Sequence, residues 1–259
     1  MTATSRKRRI AASFGTAVTR YDSAAVVQRS VAERLARRVA ALPLPDRPRV
    51  LEIGCGTGFL TRALSAHIRG AKWVVTDISP AMIARCRETL EGDRNMLFLC
   101  MDGEQPAVQG GFDLICSSLT FQWFDDLGGS LRRLNDLLRP GGHLAFATLA
   151  HESLREWCRA HAQLGLQPGT PDYPSLEELA GLWPEGGEGR LEEEWIVSTY
   201  PRARDFVSSL KGIGACTAAP SRRPLSAGAF RDVLRRLDRG KEVRITYHLA
   251  YGFCTQPSR

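Results

Sequence analysis

The stretch Val50-Leu-Glu-Ile-Gly-Cys-Gly-Thr-Gly-Phe59 decides the fold class of this chain. A short, mostly apolar run over 49–53 is typical of a buried strand, and it leads into three glycines at alternate positions, Gly54, Gly56 and Gly58. A turn without Cβ atoms lets a ligand approach the backbone, and a helix that follows such a turn presents unpaired N–H groups to that ligand. The stretch therefore predicts a strand, a ligand-binding turn and a helix.

Alternating strands and helices continue after this stretch. We expect strands over 49–53, 72–78, 97–101, 112–117 and 143–149, with helices over 60–67, 81–90 and 127–138. Strands separated by helices of this length predict a parallel sheet that is covered on both faces. Two later strands, over 195–200 and 243–253, would add an antiparallel edge. The expected fold class is α/β, with a Rossmann-like, seven-stranded, mostly parallel sheet and an insertion after the fifth strand.

The chain of 259 residues divides into four parts by its composition. Residues 1–45 hold a basic tail, expected to be frayed over 1–10, and a single helix over 10–42 that covers the ligand site. Residues 46–150 form the ligand-binding half. Residues 151–200 hold a helix and a mobile, lid-like insertion over 165–190 that leads into the sixth strand. Residues 201–259 complete the sheet and the substrate side.

Charge and cysteine content limit the class of protein. Lys and Arg number 35 against 28 Asp and Glu, which gives a net charge of +7 and makes an acidic partner plausible. No apolar run approaches the roughly 20 residues of a membrane span, and no signal peptide follows the basic N-terminus. The seven cysteines include no C-x-x-C pair. We therefore expect reduced core cysteines, no metal site and no membrane contact in a cytoplasmic, monomeric protein.

Two acidic residues flank the glycine turn and indicate what it binds. Asp77 ends the second predicted strand, where a carboxylate can accept hydrogen bonds from both hydroxyls of a ribose. The glycine spacing differs from the G-x-G-x-x-G of dinucleotide sites, and the turn lacks the lysine of a phosphate loop. Glu52 precedes the turn and would repel a pyrophosphate but orient an ammonium group. This combination favours an adenosine cofactor with an amino acid end.

The pattern resembles that of class I S-adenosylmethionine-dependent methyltransferases. This resemblance implies that the glycine turn faces the methionine part of S-adenosyl-L-methionine, that Asp77 holds the ribose, and that Asp102 contacts the adenine amine. Apolar walls are expected from Ile78 and Met82. The full set of cofactor-binding candidates is Glu52, Gly54, Gly56, Gly58, Asp77, Ile78, Met82, Asp102, Gly103 and Ser118.

Other segments resemble one family of these enzymes, the malonyl-acyl-carrier protein O-methyltransferases of biotin synthesis. They are Phe14…Tyr21-Asp22…Gln28, Gln122-Trp123, the run Ser-Leu-Lys-Gly-Ile-Gly-Ala at 209–215, and Thr-Tyr-His-Leu at 246–249. The resemblance spans roughly residues 10–253. It implies methylation of the free carboxylate of a malonyl thioester on an acidic acyl carrier protein. A carboxylate is already ionised at pH 7, so alignment rather than a general base would drive the reaction.

Candidate substrate residues follow from this resemblance and from position. The catalytic candidates are Tyr21, Gln122 and Lys211, the last being one of only four lysines. The candidates for binding the substrate or its carrier are Trp123, Arg155, Arg222, Arg223 and Tyr247. Basic clusters on the first helix (Arg29, Arg34, Arg37, Arg38) and the last (Arg231, Arg235, Arg236, Arg239) are possible docking faces. His248 is expected to be structural.

Three other functions remain open at this point. A carboxyl methyltransferase for a free small di- or tricarboxylic acid would share the cofactor half and have no use for the basic clusters. A non-catalytic, methyltransferase-like assembly factor often loses part of the cofactor set, which is complete here. A nucleic-acid methyltransferase is disfavoured because the segment at 117–124 lacks the [DN]-P-P-[FY] motif that grips an amino group.

Overall fold

Seven strands form one sheet in the computed structural model, which describes residues 3–90, 95–184, 188–215 and 225–257. The strands are β1 (Arg49–Ile53), β2 (Lys72–Asp77), β3 (Met96–Cys100), β4 (Phe112–Ser118), β5 (Leu138–Leu149), β6 (Glu188–Tyr200) and β7 (Val243–Thr255). Their order is β3-β2-β1-β4-β5-β7-β6, with β1 to β5 parallel and β7 antiparallel to both of its neighbours. The predicted α/β fold with a seven-stranded, mostly parallel sheet and an antiparallel edge is confirmed.

Helices cover both faces of this sheet. They are α1 (Ala3–Ala24), α2 (Val26–Val39), α3 (Phe59–Ser65), α4 (Pro80–Thr89), α5 (Leu127–Asn135), α6 (Arg155–Ala162), α7 (Leu176–Ala180), α8 (Ala203–Gly212) and α9 (Ala227–Leu237), with a 3₁₀ turn at Phe121–Trp123. Successive residues of β1 point to opposite faces, so Val50 packs with Leu35 of α2 and Leu51 packs with the cluster of Leu131 on α5. No described helix has both the length and the apolar character needed to cross a membrane.

The N-terminal region differs from the prediction in two ways. The single helix expected over 10–42 is wrong, because α1 and α2 are separate helices that meet at Ala25. The frayed tail is also wrong for the described residues, since α1 begins at Ala3. Arg6 is 7% exposed and pairs with Asp125 at 2.6 Å. The basic composition predicted a frayed tail, but the ion pair with Asp125, more than a hundred positions away in the chain, anchors this segment.

Strands β5 and β6 both begin earlier than expected. The Arg-Pro-Gly-Gly segment at 139–142, predicted to stop a helix, lies within β5 and forms an irregularity in its pairing with β4. Strand β6 begins at Glu188, inside the predicted insertion. The charged residues at the start of β6 are not typical of a strand, so this part was not predicted. In the structure, Glu192 and Glu194 form ion pairs with Arg38 and Arg34 on α2. Charged side chains on an edge strand are satisfied here by a neighbouring helix.

All six described cysteines are free thiols, and Cys216 lies outside the described residues. Cys55, Cys86, Cys116 and Cys254 are buried, as expected of reduced core residues. Cys100, at the end of β3, is exposed, so the expectation of a core position is wrong there. Cys158, on α6, is half-buried.

Candidate active site

The glycine turn forms the floor of a cavity at the carboxyl ends of the parallel strands. Gly54 adopts a φ of 71°, and a Cβ there would collide with the side chain of Thr120. Gly56 has a φ of 54°, and a Cβ there would project toward the Tyr21 hydroxyl at 3.8 Å. The turn therefore keeps an open space between its backbone and Tyr21 of α1, which is a cradle that a side chain would fill.

Asp77 stands at the end of β2 beside this turn. Its Oδ2 accepts a hydrogen bond from the Gly56 N–H at 2.9 Å, and its Oδ1 accepts one from the Ser79 N–H at 2.8 Å. Burial raises the pKa of Asp77 to about 6, although the backbone N–H groups act in the opposite direction. Hydrogen bonds from a ligand would favour the ionised form, so this carboxylate suits a diol such as a ribose.

The cofactor cavity, as we call this space, gathers most of the predicted cofactor residues. Eight of the ten predicted cofactor residues line it: Gly54, Gly56, Asp77, Ile78, Met82, Asp102, Gly103 and Ser118. Asp77 and Asp102 follow β2 and β3, so two carboxylates lie at neighbouring strand ends. Gly58 lies outside the cavity lining; it precedes α3, where a Cβ would approach Cys86 Sγ at 2.9 Å.

The position of Glu52 differs from the prediction. The sequence suggested that its carboxylate orients a ligand's ammonium group, but the side chain is 1% exposed and does not line the cavity. Its Oε2 instead accepts a hydrogen bond from Thr61 Oγ1 of α3 at 2.7 Å. Burial, with a smaller contribution from the charge of Asp77, raises the pKa of Glu52 to about 7. The residue ties the turn to the helix that follows it.

Sequence reasoning missed the N-terminal end of α1 as part of this cavity. Lys7 lines it and places its Nζ 2.7 Å from Asp102 Oδ2, and it also pairs with Glu104. Ile10 and Phe14 line the same cavity. Positions 7, 10, 14 and 21 share one face of a helix by their spacing, so helical periodicity could have found them.

A second cavity adjoins the first and collects the predicted substrate residues. It has a volume of about 230 Å³. Tyr21, Gln122, Trp123, Lys211 and Tyr247 all line it. The two cavities share four lining residues, Phe14, Tyr21, Leu119 and Trp123. A group bound in one cavity would therefore meet a group bound in the other at Tyr21 and Trp123.

Comparisons with known proteins agree with this arrangement. A family model described as a methyltransferase domain matches residues 51–144. The malonyl-acyl-carrier protein O-methyltransferase of Magnetococcus marinus is 45% identical over 255 residues, which cover 97% of this chain and 93% of that protein. The chain belongs to the malonyl-acyl-carrier protein O-methyltransferase family. The family predicted from the sequence motifs is confirmed.

One further relative and one solved structure complete the picture of this malonyl-acyl-carrier protein O-methyltransferase family member. The biotin biosynthesis bifunctional protein BioCD of Bordetella avium is 48% identical over 252 residues, which are 96% of this chain and 53% of that protein. The chain thus spans about half the length of this relative. An S-adenosylmethionine dependent methyltransferase from Mesorhizobium loti superimposes with a TM-score of 0.53 at 19% identity, covering 87% of this chain and 98% of that one. That likeness shows the fold.

Gln122 holds the loop that separates the two cavities of this family member. Its Nε2 donates a hydrogen bond to the Leu119 carbonyl at 2.7 Å, and its Oε1 accepts one from Thr148 Oγ1 at 3.3 Å. Leu119 has a φ of 51°, a left-handed conformation that is uncommon for a leucine. The amide therefore fixes a strained backbone segment whose side chain lines both cavities.

Tyrosine hydroxyls form the deeper part of the second cavity. Tyr247 on β7 is 6% exposed and its hydroxyl lies 3.2 Å from that of Tyr200. Burial raises the pKa of Tyr247 and that of Tyr173, another residue that lines this cavity. Both hydroxyls stay protonated at neutral pH, so this wall offers neutral hydrogen-bonding groups instead of fixed charge.

Three of the predicted basic residues, Arg155, Arg34 and Arg38, do not line either cavity. Arg155 lies outside the lining of both cavities, with its Nε 3.3 Å from Glu156 Oε1 and its guanidinium over the ring of Trp195. Arg222 and Arg223 lie outside the described residues. Arg34 and Arg38 are occupied by the acids of β6, so they do not form an open docking face. The expected roles of Arg155 and of this part of the α2 cluster need correction because local acids satisfy these cations.

His248 packs in the sheet, and the insertion after β5 reaches the second cavity. His248 is fully buried on β7 and stacks on Trp195 with ring centroids 4.1 Å apart. Its predicted structural role fits this packing. Within the insertion, Gly169, Thr170 and Tyr173 line the second cavity. The segment thus forms a wall of the site.

The lining of the cofactor cavity fits S-adenosylmethionine. Two carboxylates at neighbouring strand ends suit the ribose and the adenine amine, and Met82 and Ile78 offer apolar contact to a flat ring. The open side of Gly56 leaves room for the amino acid end. Acidic groups outnumber cations in the lining, with Asp77, Asp102 and Glu104 against Lys7, which suits a positively charged sulfonium.

Proposed function

We propose that this chain transfers the methyl group of S-adenosyl-L-methionine to the free carboxylate of a malonyl thioester on acyl carrier protein, forming its methyl ester in biotin synthesis. The single observation that carries the proposal is the pair of adjoining cavities that share Tyr21 and Trp123. One cavity has the acidic lining of a cofactor site. The other has polar groups and space for a small acyl group.

The second cavity suits an anion that must keep its reactivity. Lys211 is the only charged residue among the described residues that line it, and it is exposed. A single cation attracts a carboxylate without the bidentate grip of an arginine, which would reduce the nucleophilicity of the oxygen. We infer that Lys211 draws the malonyl carboxylate in and leaves one of its oxygens free to react.

Tyr21 stands where the two ligands would meet. Burial, followed by the charges of Asp77 and Asp22, raises the pKa of its hydroxyl, so this group remains a hydrogen-bond donor at neutral pH. We infer that it orients the carboxylate. Trp123 packs edge-on against Phe14 with centroids 5.4 Å apart, and this aromatic pair closes the junction against water.

The reaction then requires alignment more than acid–base chemistry. When bound, S-adenosylmethionine supplies an electrophilic methyl group on a sulfonium that departs as a neutral thioether. The chain holds the carboxylate in line with that methyl group through Tyr21 and Lys211. Gln122 supports this geometry by fixing the loop at Leu119.

The partner is expected to be acidic. We infer an acidic carrier because the chain has a net charge of +7. We also propose that the chain is monomeric and that it is located in the cytoplasm. The four-part division of the chain stays a proposal in which residues 1–45 cover the cofactor.

A methyl-transfer assay tests the function. Labelled S-adenosylmethionine is offered with malonyl-acyl carrier protein, succinyl-acyl carrier protein, malonyl-coenzyme A or free aconitate. We expect base-labile label on the malonyl carrier, well above the others. Label on free acids alone would move the protein to the small-acid class, and no transfer at all would reject the proposed reaction.

A matched pair of lysine variants tests the site in the same assay. Lys211→Gln should lower kcat/KM for malonyl-acyl carrier protein about tenfold or more, since a charge-assisted contact is lost. Lys241→Gln removes an exposed lysine outside both cavities and should have no effect. Equal losses in the two variants would contradict the role of Lys211.

A further inference from the structure

A third depression, the α1–α8 groove, lies between the first helix and the end of α8. It has a volume of about 500 Å³, and its lining includes Arg9, Ser13, Thr16, Arg20, Lys211 and Gly214. Lys211 lines both this groove and the second cavity. The groove therefore begins at Lys211, where the second cavity reaches the surface.

The groove is basic throughout. Arg9, Arg20 and Lys211 line it, and no carboxylate does among the described residues. Neither Arg20 nor Lys211 forms an ion pair with any residue in the part of the chain that the structure describes. Both side chains are exposed. Arg20 and Lys211 therefore produce a positive potential beside the opening of the second cavity.

The walls of the groove are held at a fixed separation. Ser13 Oγ donates a hydrogen bond to the Gly214 carbonyl at 2.8 Å, and a Cβ on Gly214 would meet the Ser13 carbonyl oxygen at 2.8 Å. The helix and the α8 segment thus touch backbone to backbone. On α1, positions 9, 13, 16 and 20 recur at intervals of three or four residues, so both arginines face the groove.

The geometry points to a phosphate site, and this inference rests on the proposed function. A malonyl thioester on acyl carrier protein lies at the end of a pantetheine arm whose other end is a phosphodiester. With the acyl group in the second cavity, the arm leaves past Lys211 and its phosphodiester enters the positive groove. We propose that Arg9 and Arg20 of the α1–α8 groove bind the phosphodiester of the carrier's phosphopantetheine arm.

Small substrates that lack a carrier test this site. Malonyl-phosphopantetheine and malonyl-pantetheine differ only in the phosphate, so their ratio of kcat/KM isolates its contribution. We expect the wild-type chain to prefer the phosphorylated substrate about tenfold. Arg9→Gln combined with Arg20→Gln should remove this preference without changing kcat/KM for malonyl-pantetheine. Arg8→Gln, an exposed α1 arginine outside the groove lining, is the matched control and should keep the preference.

A binding measurement separates this inference from the methylation proposal. Calorimetry with phosphopantetheine and pantetheine needs no methyl transfer, and the wild-type chain should bind the phosphorylated compound more tightly while the double variant should not. Turnover of both malonyl substrates at equal rates would overturn the phosphate site and leave the proposed function standing. Phosphate-dependent binding without any methyl transfer would reject the proposed function but retain the site. Equal affinity for the two compounds would overturn the site.

Discussion

Lys7 Nζ lies 2.7 Å from Asp102 Oδ2, which joins the first turns of α1 to the loop after β3 across the cofactor cavity. Asp102 Oδ1 meanwhile accepts the Glu104 N–H at 3.0 Å. Both oxygens of the carboxylate proposed to receive the adenine amine are therefore engaged. Binding of the cofactor has to share Asp102 with Lys7 or displace it, so α1 and the adenine site are energetically linked.

Removal of this contact should loosen the start of α1. In Lys7→Met, Asp102 and Glu104 lose their counter-charge and the helix loses an anchor worth about 1–2 kcal/mol. We expect the backbone amides of the first two turns of α1 to exchange hydrogen about tenfold faster, with those of α2 unchanged. Arg8→Met is the control, because Arg8 is exposed and lies outside the cavity. The same acceleration in both variants would show that Lys7 does not hold the helix.

Cofactor affinity should decline in mild acid because of Asp77. Its pKa of about 6 places protonation just below neutrality, and a protonated carboxyl accepts hydrogen bonds from ribose hydroxyls less well. Binding of S-adenosylmethionine, measured by calorimetry from pH 5 to pH 8, should be constant above pH 7 and weaken toward tenfold per pH unit well below pH 6. Asp77→Asn should bind more weakly throughout and lose this dependence on pH. A similar slope in the variant would assign the titration to another group.

The contribution of Glu52 to protein stability should decrease as the pH rises, whereas cofactor affinity should increase. Its pKa rises from 4.5 to about 7 on folding, so the folded chain binds more protons than the unfolded chain between these values. The contribution of Glu52 is thus fully present below about pH 4.5 and is lost as the pH rises through about 7. Glu52→Gln keeps an oxygen for Thr61 and removes the buried charge.

Thermal and urea unfolding check this expectation. At pH 8 the free energy of unfolding of Glu52→Gln should exceed that of the wild type by on the order of 2 kcal/mol, and at pH 5 the two should be close. A variant that is less stable than the wild type at pH 8 would mean that the carboxylate is stabilised by contacts that outweigh its burial.

The Tyr21 hydroxyl should affect chemistry more than cofactor binding. Tyr21→Phe keeps the ring that lines both cavities but removes the donor to the substrate carboxylate. We expect kcat with malonyl-acyl carrier protein to fall about tenfold or more, with the affinity for S-adenosylmethionine unchanged. Tyr251→Phe, a buried tyrosine outside both cavities, provides the comparison. An undiminished kcat in Tyr21→Phe would remove the hydroxyl from the mechanism.

The sequence predicted those parts of the molecule that follow local rules. Glycine spacing and strand periodicity located β1 and the turn, and the predicted strand over 49–53 matches Arg49–Ile53. The candidates Tyr21, Gln122 and Tyr247 are far apart in the chain but line one cavity, and family resemblance rather than periodicity selected them. What escaped prediction depends on distant charge pairs. Arg6 forms an ion pair with Asp125, and Glu192 of β6 forms one with Arg38 of α2. Neither ion pair can be recognised from the sequence close to either partner.

The place of β7 between β5 and β6 sets an order of assembly. Strand β6 has β7 as its sheet neighbour, yet β7 is the last of the seven strands to leave the ribosome. The first five strands can pair while synthesis continues, whereas β6 has no strand to pair with until residues 243–255 emerge. Tyr247 arrives on that same strand. A nascent chain can thus assemble the residues of its cofactor cavity early, but its second cavity is complete only after residues 243–255 have emerged.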